Sequence, residues 1–155
     1  MRASFRSAAR LLVAAGLAAP LLASAADTAT VPVTATVQGV CKFTSAGAIA
    51  FGTLDPSTTA TSVSATVTQP AFWCTKGTSY TVTDSGTAGS ANMALGGTST
   101  TELIAYSFSY TATGSGNGVT GTALNMGLSA TVAKTAFQNA AAGSYSGNLV
   151  LTINP

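Results

Sequence analysis

Few side chains in this 155-residue chain can do acid–base, nucleophilic or metal chemistry. The sequence contains no histidine, which excludes Ser-His-Asp and Cys-His catalytic arrangements and histidine-rich metal sites. Its only carboxylate side chains are Asp27, Asp55, Asp84 and Glu102, and two of these, Asp55 and Asp84, lie in turn sequences where they can bond local amides. Too few titratable groups remain for an acid, a base and a stabiliser. We therefore expect no enzyme, no cofactor and no metal site.

One glycine pattern imitates a nucleotide-binding motif. Gly116–Gly121 has the spacing GxGxxG of dinucleotide-binding folds. That motif works only after a strand and before a helix, with a carboxylate about twenty residues further on. The sequence offers none of these, so we interpret the segment as a glycine-rich turn.

The amino terminus has the pattern of a secretory signal peptide. Arg2, Arg6 and Arg10 precede the apolar run Leu11–Leu22, and the small residues Ala23–Ala26 follow it. The apolar run is too short to span a membrane, and no later segment has the roughly 20 apolar residues that a transmembrane helix needs. Residues 1–26 are thus predicted to be removed, and the mature protein to be exported without stable membrane insertion.

Removal of the signal peptide changes the charge of the protein. Three lysines and four acidic residues remain, which gives a net charge of −1 instead of +2. Such a chain has no electrostatic footprint for nucleic acid or anionic lipid. The remaining residues are enough for one domain and too few for two ordinary ones.

The two cysteines, Cys41 and Cys74, are the remaining candidates for covalent chemistry. In an exported protein an even number of cysteines favours a disulfide. Two buried free thiols are less favoured after export, and two thiolates without further ligands do not form a zinc site. In the chain-entropy model a bridge of this span stabilises the fold by roughly 3 to 4 kcal/mol.

The mature sequence has the composition and periodicity of an all-β sandwich. It is rich in Thr, Ser, Ala and Gly, with short alternating runs and little charge, which predicts two packed antiparallel sheets. The predicted strands are Thr28–Val37, Val40–Thr44, Ala48–Leu54, Thr61–Thr68, Ala71–Thr75, Ser79–Thr83, Leu103–Thr111, Leu128–Lys134 and Tyr145–Ile153.

The period of two also predicts which side chains point inward. They are Ile49, Phe51, Val63, Ala65, Val67, Phe72, Cys74, Tyr80, Val82, Ile104, Tyr106, Phe108, Tyr110, Leu128, Ala130 and Val132. Trp73 has the opposite parity and is predicted to cover the sandwich edge. A helical turn is predicted within Ala136–Ala142. Thr111–Asn125 is predicted to be a long exposed loop, with a hairpin whose tip is Asn117-Gly118 as the alternative.

The two ends of the mature chain are predicted to complement each other. Tyr145, Leu149, Leu151 and Ile153 share one face of the last predicted strand, after which the sequence ends, and we expect its free edge to invite pairing. At the other end, apolar side chains alternate with Thr and Pro; they are Ala29, Val31, Val33, Ala35 and Val37. Periodicity alone does not distinguish an ordinary first strand from one given to a neighbouring chain. The unfinished last sheet favours donation.

Four segments resemble the spore coat protein U family, which includes the Csu-type, or archaic, chaperone/usher pilins. They are Cys41–Phe43, Ile49–Asp55, Cys74–Val82 and Ala142–Ile153. Their order and spacing carry the resemblance over most of the mature chain. The middle, from residue 87 to residue 125, matches poorly, and we expect no second domain of the kind that the tip adhesins carry.

The resemblance implies an incomplete immunoglobulin-like antiparallel sandwich that lacks its last strand and is completed by donor-strand complementation. Residues 27–37 would be the donor extension, with Ala29, Val31, Val33, Ala35 and Val37 as donated side chains, and residues 38–155 the pilin domain. The acceptor groove would be lined by Tyr145, Leu149, Leu151 and Ile153, with Cys41 and Cys74 as the family's disulfide. Ala29 and Ala35 are small for donor positions.

The function implied is that of a structural pilin subunit of a surface fibre used in adhesion or biofilm formation. Its partners would be a periplasmic chaperone, an outer-membrane usher and identical or related subunits, with the protein periplasmic in transit and then extracellular. The chief alternative is a secreted coat or matrix protein of the same fold that completes its own sheet. A small module that binds sugar or a surface through Trp73 or loop aromatics is a further alternative.

Overall fold

The structure, a computed structural model, describes residues 26–155. The predicted signal peptide therefore lies outside the described residues, apart from Ala26. The chain divides after Ala35, and the second unit, Thr36–Pro155, contains every strand that the structure describes.

The regular secondary structure of the second unit consists of short antiparallel strands and one helical turn, which confirms the predicted all-β sandwich. The strands are β1 (Cys41–Ser45), β2 (Ala48–Ala50), β3 (Ser62–Ser64), β4 (Thr66–Thr68), β5 (Ala71–Cys74), β6 (Ser79–Asp84), β7 (Ser90–Leu95), β8 (Leu103–Ser109), β9 (Thr113–Ser115), β10 (Leu124–Asn125), β11 (Ser129–Ala133), β12 (Tyr145–Ser146) and β13 (Leu151–Asn154). A single helical turn, α1 (Lys134–Phe137), follows β11.

The strands form four hydrogen-bonded sheets. The largest has the order β12-β7-β8-β11-β3; two three-stranded sheets have the orders β1-β5-β10 and β13-β6-β9, and β2 pairs with β4. Every pairing between these strands is antiparallel, as predicted.

The core follows the predicted period of two. On β8, Ile104, Tyr106 and Phe108 are buried while the residues between them are exposed. The buried side chains form two clusters, one around Phe72 and one around Val132, each of which is fully buried. All sixteen side chains predicted to point inward are buried or half-buried.

Two predicted strands are each divided in the structure. The run Thr61–Thr68 becomes β3, which pairs with β11, and β4, which pairs with β2. The run Tyr145–Ile153 becomes β12 and β13, which pair with β7 and β6. The second break falls at Gly147, where an added Cβ would lie 2.5 Å from the Asn92 carbonyl oxygen. Close approach of two backbones, rather than the hydrophobic pattern, sets this break.

Several strand assignments from the sequence were wrong or missing. Strand β7 was not predicted, because its Ala, Asn and Met residues have little β-propensity, yet it pairs along its length with β8. Thr111–Asn125 is neither a free loop nor a hairpin: β9 pairs with β6 and β10 pairs with β5, in different sheets. Thr28–Val37 carries no strand.

The single helical turn starts earlier than predicted. Helix α1 covers Lys134–Phe137 and not Ala136–Ala142, because the Lys134 backbone N–H donates to the Thr61 carbonyl (2.9 Å) and Phe137 is buried in the core. Trp73 is half-buried on β5, opposite Lys42 of β1, on the face away from Phe72. Its role as a cover for the sandwich edge stays a prediction.

Two of the acidic side chains have the structural roles predicted for them. Asp55 accepts hydrogen bonds from the Ser57 hydroxyl (2.7 Å) and backbone N–H (2.8 Å), which lower the pKa of that carboxyl. Asp84 accepts one from the Gly86 N–H at 2.7 Å. It also accepts one from the Tyr110 hydroxyl at 2.6 Å, and this bond, together with burial and the carboxylate charge, raises the pKa of Tyr110 to about 12.

This bond predicts an alkaline loss of stability. Because the pKa of Tyr110 is raised above its ordinary value of 10.0, the stabilisation is present below pH 10 and is lost as the pH rises towards 12. Tyr110→Phe should lower the free energy of unfolding by about 1 kcal/mol at neutral pH. It should also make that free energy depend less on pH between pH 10 and 12. Urea unfolding at neutral pH and between pH 10 and 12 measures both effects.

Tyr145→Phe is the matched control, since the Tyr145 hydroxyl donates to the Ala141 carbonyl and not to a carboxylate. It should keep the alkaline fall. An unchanged pH profile in Tyr110→Phe would contradict the assignment.

Candidate functional site

An open groove of about 760 Å³ runs along one side of the second unit. Its two walls are the segments from Phe43 to Phe51 and from Tyr145 to Leu151, and Pro70, Met93, Tyr106 and Leu128 complete the lining. Tyr106, Leu128 and Pro70 are buried, whereas the large apolar side chains that line the walls are only half-buried. The groove is therefore a gap in the packing, with a covered floor and partly covered sides.

Both walls are made of strands at sheet edges. Strands β1 and β2 form one wall, β12 and β13 belong to the other, and each is the outermost strand of its sheet. Each therefore has one side without a ladder partner within residues 26–155. Unpaired backbone N–H and C=O groups along two facing edges are a template for one further strand.

The two walls run in opposite directions. Phe43 packs against the Phe72 cluster together with Leu151, whereas Phe51 packs against the Val132 cluster together with Tyr145. The two central wall residues, Ile49 and Leu149, pack against both clusters. A strand inserted here would be antiparallel to one wall, parallel to the other, and in contact with both clusters.

The lining of the groove is uncharged. It contains apolar, glycine, serine, threonine and asparagine residues, and burial raises the pKa of the Tyr106 hydroxyl in its floor. The Gln69 side chain fixes another floor residue, because its amide donates to the Leu128 carbonyl and accepts from the Leu128 N–H, both at 2.7 Å. An occupant with alternating small apolar side chains suits this lining, and a charged one does not.

The disulfide anchors one wall to the sandwich. Cys41 of β1 is directly opposite Cys74 of β5, their Cα atoms are 4.0 Å apart, and the bridge predicted from cysteine count is confirmed. The bond therefore joins an edge strand with one unpaired side to a strand whose Phe72 and Cys74 are fully buried.

Comparison with known families identifies the family of this chain. A profile of the Spore Coat Protein U domain matches residues 27–152. The chain belongs to the Spore Coat Protein U domain family. This is a family of structural coat and pilin-type proteins, as the sequence resemblance implied. No match was found among curated proteins. No helix within residues 26–155 reaches the length and apolar content needed to cross a bilayer.

Three of the four predicted acceptor residues of this Spore Coat Protein U domain line the groove. They are Tyr145, Leu149 and Leu151. Ile153 does not line it and packs instead against the Phe72 cluster. The sequence did not predict the opposite wall of the groove, because Ile49 and Phe51 were predicted only as inward-facing core residues. Their alternation was visible in the sequence, but nothing local showed that they border a gap.

The predicted donor residues lie in a segment without secondary structure. Ala29, Val31, Val33, Ala35 and Val37 carry no strand, and Val31, Val33 and Val37 are 76%, 90% and 82% exposed. Their alternation is clear in sequence, and their role remains a prediction.

The disulfide yields a direct prediction for this Spore Coat Protein U domain. Replacing Cys41 and Cys74 together by Ala should lower the free energy of unfolding by about 3 to 4 kcal/mol, because the unfolded chain regains the entropy of the open loop. Chemical denaturation with and without reductant measures this loss. The unmodified protein in reductant should match the variant, and equal unfolding midpoints with and without the bridge would refute the prediction.

Proposed function

We propose that this protein is a structural subunit of a surface fibre and that it polymerises by strand donation between copies. The observation that carries the proposal is the uncharged groove between two pairs of edge strands, each of which has one side without a ladder partner. The occupant is the segment Ala29–Val37 of a second copy. Its five alternating apolar positions would enter the groove while the intervening Thr and Pro residues face away.

The energetics favour such a complex. Burying three valines contributes several kcal/mol, at roughly 1.5 kcal/mol or more each. Val31, Val33 and Val37 have this surface to bury, since all three are mostly exposed. A backbone ladder on both sides of the inserted strand fixes its register and satisfies the edge groups. The inserted strand should therefore dissociate slowly.

The symmetry of the contact makes the product a fibre. Each copy gives one segment and receives one, so the contact is heterologous, and a heterologous contact that does not close into a ring builds an open filament. In transit through the periplasm a chaperone would occupy the groove, and an outer-membrane usher would exchange it for the next subunit. The fibre would then serve adhesion or biofilm formation at the cell surface.

A charge placed at the centre of the donor segment tests which of its alternating side chains enter the groove. Val33→Asp should block polymerisation, because an unpaired carboxylate would have to enter the uncharged groove, at a cost of several kcal/mol. Electron microscopy and size-exclusion chromatography of the secreted protein measure the outcome.

Thr34→Asp is the matched control, because the adjacent position has the opposite parity and carries the same charge. It should polymerise normally, and both variants should still bind the chaperone. Normal fibres from Val33→Asp would show that the donor face is misplaced. A chain lacking Asp27–Val37 that still forms fibres would overturn donation altogether.

Salt should have little effect on the assembled fibre. The groove lining contains no charged side chain, so screening removes little of the binding energy. The polymer should therefore keep its length distribution between low salt and 1 M NaCl. Dissociation on raising the salt would indicate an electrostatic contact instead of strand insertion.

A further inference from the structure

Residues Gln38–Val40 form the root of the amino-terminal segment, the part that joins it to the body, which is the sandwich of the same chain. Thr75 of the body binds this root through hydrogen bonds. Thr75 directly follows β5, next to the disulfide-bonded Cys74. Its backbone N–H donates to the Val40 carbonyl at 2.9 Å, and its side-chain Oγ1 accepts from the Val40 N–H at 3.1 Å. Both backbone polar groups of Val40 are therefore satisfied by Thr75.

The Thr75 hydroxyl also reaches further back along the segment. Its Oγ1 donates to the Gln38 carbonyl oxygen, 3.2 Å away. Gly39 packs tightly beside it, because an added Cβ would lie 3.0 Å from the Thr78 side chain. The residues Gln38–Val40 are thus held by side chains of the turn between β5 and β6, although they belong to no strand.

We propose that Thr75 is the clamp that separates the donated strand from the body and fixes the angle between successive subunits. This inference rests on the proposed function, in which Val37 is the last donated side chain. Only Gln38 and Gly39 then lie between the donated strand and the clamped Val40. Three residue steps span at most roughly 10 Å, so the neighbouring groove must end within that distance of Val40.

A short clamped connection has a mechanical consequence. A free linker would allow neighbouring bodies to rotate, since flexible chain explores many orientations. Here both the length and the direction of the connection are restricted at Thr75, whose own position is braced by the Cys41–Cys74 bridge. Thr75 is therefore a positioning residue: it does not enter the groove, and it sets how the next body is held.

The test compares fibres of the full chain with Thr75→Val, Thr75→Ser and Thr83→Val. Valine has the shape of threonine without the hydroxyl, serine restores the hydroxyl, and Thr83 is an exposed strand residue of β6 away from the root. Electron micrographs give the distribution of angles between successive subunits. We expect a wider distribution for Thr75→Val, and the unmodified distribution for Thr75→Ser and Thr83→Val.

Amide hydrogen exchange provides a second measurement that does not depend on fibres. The Val40 amide should exchange about fivefold faster in Thr75→Val, as expected for loss of one net hydrogen bond of about 1 kcal/mol, and at the unmodified rate in the other two variants. A structural defect would instead raise exchange throughout the sandwich.

The outcomes separate the clamp from the proposed function. Unchanged angles between subunits in Thr75→Val would overturn the clamp. Loss of fibres in Thr75→Val while Thr83→Val still assembles would also overturn it, because the proposed clamp sets the angle between subunits and does not affect strand insertion. If the unmodified chain forms no fibres, strand donation fails. In that case an unchanged exchange rate of the Val40 amide in Thr75→Val would overturn the clamp as well. A faster exchange confined to the Val40 amide would retain Thr75 as the anchor of the amino-terminal segment.

Discussion

Backbone hydrogen bonding at the sheet edges is the constraint on which this structure depends. A β-strand can bury its side chains on one face and still leave half of its ladder groups without partners. Here β1, β2, β12 and β13 all meet that condition around one groove. Ile49 and Leu149, at the centre of the walls, pack against both core clusters and remain only half-buried. The unfilled volume and the unpaired edges thus occur at the same place, and a single inserted strand would satisfy both.

The molecule keeps an edge strand in position by fixing it from the side opposite the groove. The Cys41–Cys74 bridge joins β1 to β5, and the next residue, Thr75, holds Val40 by its backbone and its hydroxyl. The floor is fixed by a different device, in which the Gln69 amide takes the place of a neighbouring strand beside Leu128. None of these contacts fills the groove. They hold its boundaries, so a strand inserted as proposed would meet a formed site, which would reduce the ordering cost of binding.

Period two predicted the core well and the strand boundaries less well. The inward positions of β8, Ile104, Tyr106 and Phe108, were visible because a central strand with one buried face alternates strictly. The break at Gly147 was not visible, because it follows from contact with Asn92 of a strand distant in sequence. Likewise, Ile49 and Phe51 were identified as inward-facing, but whether an inward face borders a gap depends on the partner strands. The Thr75 contacts with Gln38 and Val40 join residues about 35 positions apart and leave no local pattern.

The central claim is that the segment Ala29–Val37 fills the groove of another copy and not its own. Covalent trapping tests this most directly: a full chain carrying Val33→Cys and Leu149→Cys is treated with a short thiol-specific crosslinker and separated on a denaturing gel. Leu149 occupies the middle of one wall and Val33 the middle of the donor segment. The account predicts a ladder of covalent oligomers that is absent when either substitution is made alone. A crosslinked monomer as the sole product would contradict it.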